Sequence, residues 1–180
     1  SPAIVGNFVD EKVLEKFREQ PKAKESVRFV FVGSLTARKR PELLIKAVEQ
    51  LRGQGHEVEL DMIGEGPLES HIKGLVDDID LENNVHLHGH MDKPYPIIRA
   101  ANAFVLPSMS EGVPRAAMEA LYLGTPCVLR NVDGNRELIK DSETGVLFNE
   151  DSDLPQAMLK ASQINTAIDQ NLLPTCFRQC

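Results

Sequence analysis

No apolar run in this chain approaches the roughly 20 residues that a membrane-spanning helix needs. No signal peptide is expected either. Excess positive charge is also missing: 20 lysines and arginines face 27 aspartates and glutamates, for a net charge of −7. That balance excludes a general nucleic-acid surface, so any anionic ligand must be met by a local cluster of cations. Cysteine is scarce. Cys127, Cys176 and Cys180 form neither a metal-binding spacing nor an even disulfide framework, which predicts a reducing, cytoplasmic protein. Peripheral attachment of a longer parent protein to the inner membrane face is compatible with that. No sequence period marks a solenoid, and no low-complexity segment appears.

What is present is ordinary in bulk and specific in pattern. The chain is 42% hydrophobic and 26% charged over 180 residues, enough for one well-buried domain and too short for two typical ones. A single domain over 1–180 is expected, with its core at about 7–160 and a C-terminal helix and tail at 161–180. Residues 27–33, VRFVFVG, form a nearly continuous apolar run ending at glycine, which predicts a buried parallel strand feeding a ligand loop. An amphipathic helix over 41–51 follows, with Pro41 at its first position and Leu44, Ala47, Val48 and Leu51 on one face. The unit recurs. Further strands are expected at 58–64, 85–89, 103–106, 125–129 and 146–148, with helices at 11–19, 68–76, 96–101, 136–139 and 154–168. Such alternation predicts an α/β fold with a doubly wound parallel sheet of about six strands. Ligands then bind beyond the C-terminal strand ends, where Gly33, Gly64, Gly89 and Gly112 all fall.

The segment 107–128, PSMSEGVPRAAMEALYLGTPCV, carries the chemistry. It reads as strand end, polar loop, helix and strand. From Ala116 to Leu123 every residue is apolar or aromatic except Glu119, and a carboxylate in an apolar helix is costly unless paired. Pro114 fits the first helical position. The N–H groups of Gly112, Val113, Arg115 and Ala116 then point out of the helix start and form an anion-binding mouth. Glu111 leads into that mouth and Glu119 can look back over it. The plain alternative is that Arg115, four residues earlier, pairs with Glu119 and that Glu111 is a solvated loop acid.

The run Glu111-Gly112-x-Pro114, Glu119-Ala120 and Gly124-x-Pro126 resembles the E-x7-E signature of family 4 of the retaining glycosyltransferases. The resemblance implies a GT-B fold, two Rossmann-like halves facing across a cleft, of which this chain is the C-terminal, donor-binding half. It implies that Glu119 accepts from the ribose hydroxyls of a nucleotide. It places Glu111 near the donor sugar as the catalytic carboxylate, either nucleophile or electrostatic partner. Backbone N–H groups from Val113 to Ala116 would meet the sugar or the distal phosphate.

The other turns extend the resemblance over about 7–159. Asn7 to Asp10 resembles the family's Asn-Gly-Val-Asp, with Phe8 where glycine is usual. After Gly33 the family shows arginine and then a lysine that grip the donor diphosphate. Here Lys39 matches the lysine, Ser34 replaces the arginine, Arg38 is the nearest substitute, and Arg40 stands where glycine is frequent. Read without the family, Arg38-Lys39-Arg40 is either a phosphate patch or a solvated basic loop. Gly64-Glu65-Gly66-Pro67 resembles a Gly-x-Gly-Pro turn of the donor site, and is otherwise a plain tight turn. His86, His88 and His90 lie on one side of an extended strand and span about 13 Å, too far for one metal. They read as a polar strand face, with main chain near His90 and Met91 following the nucleobase. Asp78-Ile79-Asp80 and Asp151-Ser152-Asp153 sit at helix termini, where acids are ordinary.

The implied activity is transfer of a sugar from a nucleotide-diphosphate donor, a UDP-sugar foremost, to a glycan or lipid-linked acceptor, with no metal and no cofactor. The acceptor-binding N-terminal half is expected to be missing, and the chain alone is expected to be inactive. Two other classes stay open: a nucleotide-binding module without chemistry, and half of a sugar-nucleotide epimerase.

Overall fold

The computed structural model describes residues 10–18, 26–109 and 114–164. In chain order they form α1 (Glu11–Arg18), β1 (Val27–Val32), α2 (Pro41–Gly53), β2 (Val58–Ile63), α3 (Glu69–Asp78), β3 (Val85–Gly89) and α4 (Tyr95–Ala100). Then come β4 (Ala103–Leu106), α5 (Arg115–Tyr122), β5 (Cys127–Arg130), β6 (Gly145–Phe148) and α6 (Leu154–Ser162). Two short 3-10 turns, Ala37–Lys39 and Asp151–Asp153, lead into α2 and α6.

All six strands join one sheet in the order β3-β2-β1-β4-β5-β6, and every pairing is parallel. The order reverses between β1 and β4. Right-handed crossovers therefore place α2 and α3 on one face and α4 and α5 on the other. α6 packs beside α2, and α1 packs on α4 and α5. The expected doubly wound sheet is the one that forms, because the strands are apolar on both sides: β4 and β5 are buried at every position. The predicted face of α2 is buried in full, with Leu44, Ala47, Val48 and Leu51 at 0–1% exposure. Each such leucine or valine contributes about 1.5–3 kcal/mol.

On one face, Arg28 of β1 and the alternating Glu59, Asp61, His86 and His88 of β2 and β3 are polar instead. Arg28 pairs with Glu59 at 3.0 Å, His86 Nε2 lies 3.2 Å from Glu59, and His88 Nε2 lies 2.7 Å from Asp61. This is the polar strand face that the alternating histidines predict. Each imidazole on β3 is matched by an acid on its β2 neighbour.

Several boundaries differ from expectation. Residues 136–139 are not a helix; successive turns cover 133–138, where the Leu138 N–H donates to the Asn135 carbonyl three residues back. α6 stops at Ser162 rather than running on toward 168, since Gln163 and Ile164 already form a turn and a bend. β5 begins at Cys127, two residues late, because the Thr125 N–H is donated to the Ala120 carbonyl of α5 and Pro126 has no N–H to give the sheet. Pro114 is the residue before α5 rather than its first. Asn7, Phe8, Glu111, Gly112, Val113, Cys176 and Cys180 lie outside the described residues. Cys127 is fully buried, and burial pushes its thiol well above the ordinary range.

Candidate functional site

At the C-terminal edge the sheet ladder runs past the strands into the glycines. Gly33 N–H donates to Ile63 at 3.0 Å, and Gly64 N–H donates to Gly89 at 2.8 Å. Gly64 has φ 141°, and a Cβ there would overlap the Gly33 carbonyl oxygen. A Cβ on Gly66 would press on the Leu35 backbone. These two glycines therefore let the β2 loop lie directly behind the β1 loop, so Gly33-Ser34-Leu35 has one path.

That path delivers Gly33, Ser34, Arg38 and Lys39 to one wall of a cleft of about 530 Å³. The cleft opens between β1 and β4, at the point where strand order reverses. Val32 and Leu106, the ends of those two strands, form its floor. Pro114, Arg115, Ala116 and Glu119 come from α5 and the residue before it. Met91, Asp92 and Pro94 come from the β3–α4 connection, and Tyr95 from the start of α4.

Among the sequence-predicted residues, Gly33, Ser34, Arg38, Lys39, Met91, Pro114, Arg115, Ala116 and Glu119 are thus brought together. Gly64, Gly66 and His90 do not line the cleft. The two glycines stand behind it as described. His90 is turned to solvent, where Nε2 lies 2.9 Å from Asp92 Oδ1 and the two side chains are 68% and 92% exposed. The basic run divides as well. Arg40 turns away and grips Asp151 with both guanidinium nitrogens, at 2.9 and 2.8 Å. Its backbone sits at φ 51°, a left-handed conformation that suits the glycine frequent there in the family.

Glu119 is 7% exposed, and its carboxylate forms part of the cleft wall. Arg115 Nε donates to Oε1 at 3.0 Å, so the pairing offered as the plain alternative is present. It occupies one oxygen. Among the described residues nothing donates to Oε2. Burial raises the Glu119 pKa, and the Arg115 charge and hydrogen bond oppose that only in part. Tyr95 faces the same space from α4; burial, and then the Glu119 charge, raise its phenol.

Asp92, Pro94 and Tyr95 were not foreseen. The usable signal was topological. β3 lies at one edge of the sheet, so its outgoing loop must cross the crevice to reach α4 on the opposite face.

The family model for glycosyl transferases group 1 matches residues 12–170. The chain belongs to that family. A group 1 relative from Escherichia coli, UDP-Gal:alpha-D-GlcNAc-diphosphoundecaprenol alpha-1,3-galactosyltransferase, is 31% identical over 151 residues, covering 82% of this chain and 38% of the relative. The amylovoran biosynthesis glycosyltransferase AmsK of Erwinia amylovora is 36% identical over 136 residues, 70% of this chain and 33% of its own. Among solved structures, a point mutant of S. aureus TarM in complex with fondaparinux, alpha-GlcNAc-glycerol and UDP superposes with a TM-score of 0.72 at 23% identity. The match covers 83% of this chain and 31% of TarM. The chain thus spans well under half the length of each of these three proteins, and its fold is a fragment of GT-B. Among the described residues no helix is long and apolar enough to cross a membrane.

Proposed function

We propose that this chain is the donor-binding half of a retaining glycosyltransferase, and that its cleft holds a nucleotide-diphosphate sugar. The carrying observation is Glu119: a buried carboxylate that, among the described residues, is hydrogen-bonded through one oxygen to Arg115, in the same cleft wall as two cations from another loop. A ribose would donate its 2′- and 3′-hydroxyls to Oε2. Lys39 and Arg38 would meet the diphosphate. The first N–H groups of α5, at Arg115 and Ala116, would meet the distal phosphate or the sugar as charge develops there. Main chain near His90 and Met91 would follow the base, and Glu111 would hold the sugar hydroxyls. UDP is favoured because the galactosyltransferase relative is named for UDP-Gal and the TarM complex contains UDP.

In the reaction, the bond between the anomeric carbon and the diphosphate oxygen breaks and its electron pair leaves with the nucleotide. An acceptor hydroxyl forms the new carbon–oxygen bond on the same face, and its proton passes to the departing diphosphate oxygen. The acceptor, a glycan or lipid-linked glycan, would be held by the remainder of a full-length enzyme, so this chain binds donor and transfers nothing alone.

Calorimetry with UDP, GDP and ADP tests the binding site. UDP should bind with the highest affinity, Glu119→Ala should abolish binding of UDP and uridine alike, and Lys39→Ala should weaken UDP more than uridine. Unchanged UDP affinity in Glu119→Ala would sink the assignment. Acceptor-dependent release of UDP by the isolated chain would refute its inactivity.

A further inference from the structure

Two walls of the cleft, α4 and α5, are bound from behind by the same short helix. α1 packs on both. Its Leu14 is 1% exposed and anchors it to the core. Phe17 lies against the ring of Tyr95, with centroids 5.7 Å apart and planes inclined at 45°. Tyr95 is the α4 residue that lines the cleft. Toward α5, Tyr122 donates its hydroxyl to Glu15 Oε2 at 2.9 Å, and the Arg18 guanidinium sits 5.2 Å from the Tyr122 ring. Tyr122 is one turn beyond Glu119 on α5, so it shares that helix's rotational setting. A third tie closes the arrangement: Arg99 Nε, near the end of α4, donates to the Arg18 carbonyl at 2.6 Å. That carbonyl belongs to the last turn of α1, which the N–H groups of the same helix cannot serve.

These contacts are specific in kind. An aromatic pair such as Phe17–Tyr95 favours one mutual geometry beyond simple burial. The Tyr122 phenol is raised to about 12 by burial and then by Glu15, so it stays a hydrogen-bond donor across the working pH range.

We infer that α1 is a positioning element for the cleft, with Phe17 and Glu15 as its positioning residues: it fixes α4 and α5 against one another and so sets the placement of Tyr95 relative to Glu119. None of these α1 side chains lines the cleft, so the effect passes through Tyr95 and Tyr122. The functional part of the inference rests on the nucleotide reading above, because the groups positioned are those assigned to the ribose side of the ligand.

The test compares the chain with Phe17→Leu, Tyr122→Phe and Glu15→Gln. UDP and uridine affinities are measured by calorimetry well below the unfolding temperature, and backbone amide exchange is followed without ligand. Phe17→Leu and Tyr122→Phe should weaken UDP and uridine by the same factor, about fivefold, because the diphosphate contacts are untouched. Glu15→Gln keeps an acceptor for the phenol and should retain affinity. Exchange should rise in α4 and α5 and stay unchanged in α2 and α3. A purely structural role for α1 would lower the melting temperature and leave both affinities within twofold; that result overturns the inference. Unchanged exchange in α4 and α5 also overturns it. Faster exchange there in a chain that binds no nucleotide would sink the donor reading instead, and leave the mechanical coupling by α1 standing.

Discussion

A carboxylate that is raised by burial and only partly compensated costs stability. Glu119 is in that position, because its partner Arg115 is 55% exposed and an exposed i,i+4 pair contributes about 0.3–0.5 kcal/mol. The sign follows from linkage. A carboxyl with a raised folded-state pKa favours the folded chain fully below its unfolded pKa, and that contribution is lost as pH rises through the raised value. Glu119→Gln should therefore stabilise the ligand-free chain at about pH 8, and the gain should shrink toward about pH 4, where both forms are neutral. Thermal unfolding across that range checks it; a gain that grows in acid would contradict the assignment. Nucleotide binding should be lost in the same variant, so stability and function move in opposite directions at one residue. Glu119 was legible in the sequence because an acid in an apolar helix breaks the local pattern. Arg40 was not: its departure from glycine was visible, but its left-handed backbone and its turn toward Asp151 depend on a residue 111 positions away.

Among the elements, the paths of the strands were readable and the ties between them were not. Apolar runs mark β1 and β4 by composition alone, yet nothing local announces that Asp151 joins three of the connections. Asp151 accepts from Arg40 at the start of α2 and, at 2.6 Å, from Arg130 at the end of β5. Arg130 is buried, donates to the Pro107 and Asn149 carbonyls, and lies 4.8 Å from the Phe148 ring. The Arg40 hydrogen bond first, and the Arg130 one after it, hold the Asp151 carboxyl below its usual range. Its stabilisation is thus present above the unfolded pKa and lost as pH falls through the depressed folded value. The acid reads in sequence as an ordinary helix-start residue, and Asp153 is one: it closes a capping box with Glu150. Asp151→Asn should cost about 1 kcal/mol at neutral pH, after discounting for an aspartate side chain that is 44% exposed. The two proteins should converge in stability only as pH falls through the depressed folded value, where the parent carboxyl becomes protonated in the folded chain too. Equal stability at pH 7 would show that the Arg130 carbonyl contacts suffice.

For the molecule as a whole, the strand alternation and the glycine edge predicted where ligand should bind, and the crevice between β1 and β4 lies there. The contribution of the β3–α4 connection was hidden because it depends on which face each crossover takes. The same scale sets an electrostatic contest that decides how an anion is received. The net charge is −7, or −9 with Arg38 and Lys39 set apart, and a chain of this length has a radius of gyration of about 16 Å. In water the field of that remainder repels each ligand charge by about 2.3 kcal/mol unscreened, and by about 0.5 kcal/mol at 0.1 M salt. Two cations in contact at about 4 Å attract it by about 2 kcal/mol even at the dielectric of water, and by roughly 8 kcal/mol at the effective dielectric of a protein surface. Arg38 and Lys39, both in the cleft wall, should therefore prevail at every salt concentration, and added salt should weaken binding rather than strengthen it. Between about 0.02 and 0.5 M NaCl the dissociation constant for UDP should rise severalfold while that for uridine stays flat. UDP binding that tightens with salt would mean that the whole-molecule field dominates, and would place the diphosphate away from Arg38 and Lys39.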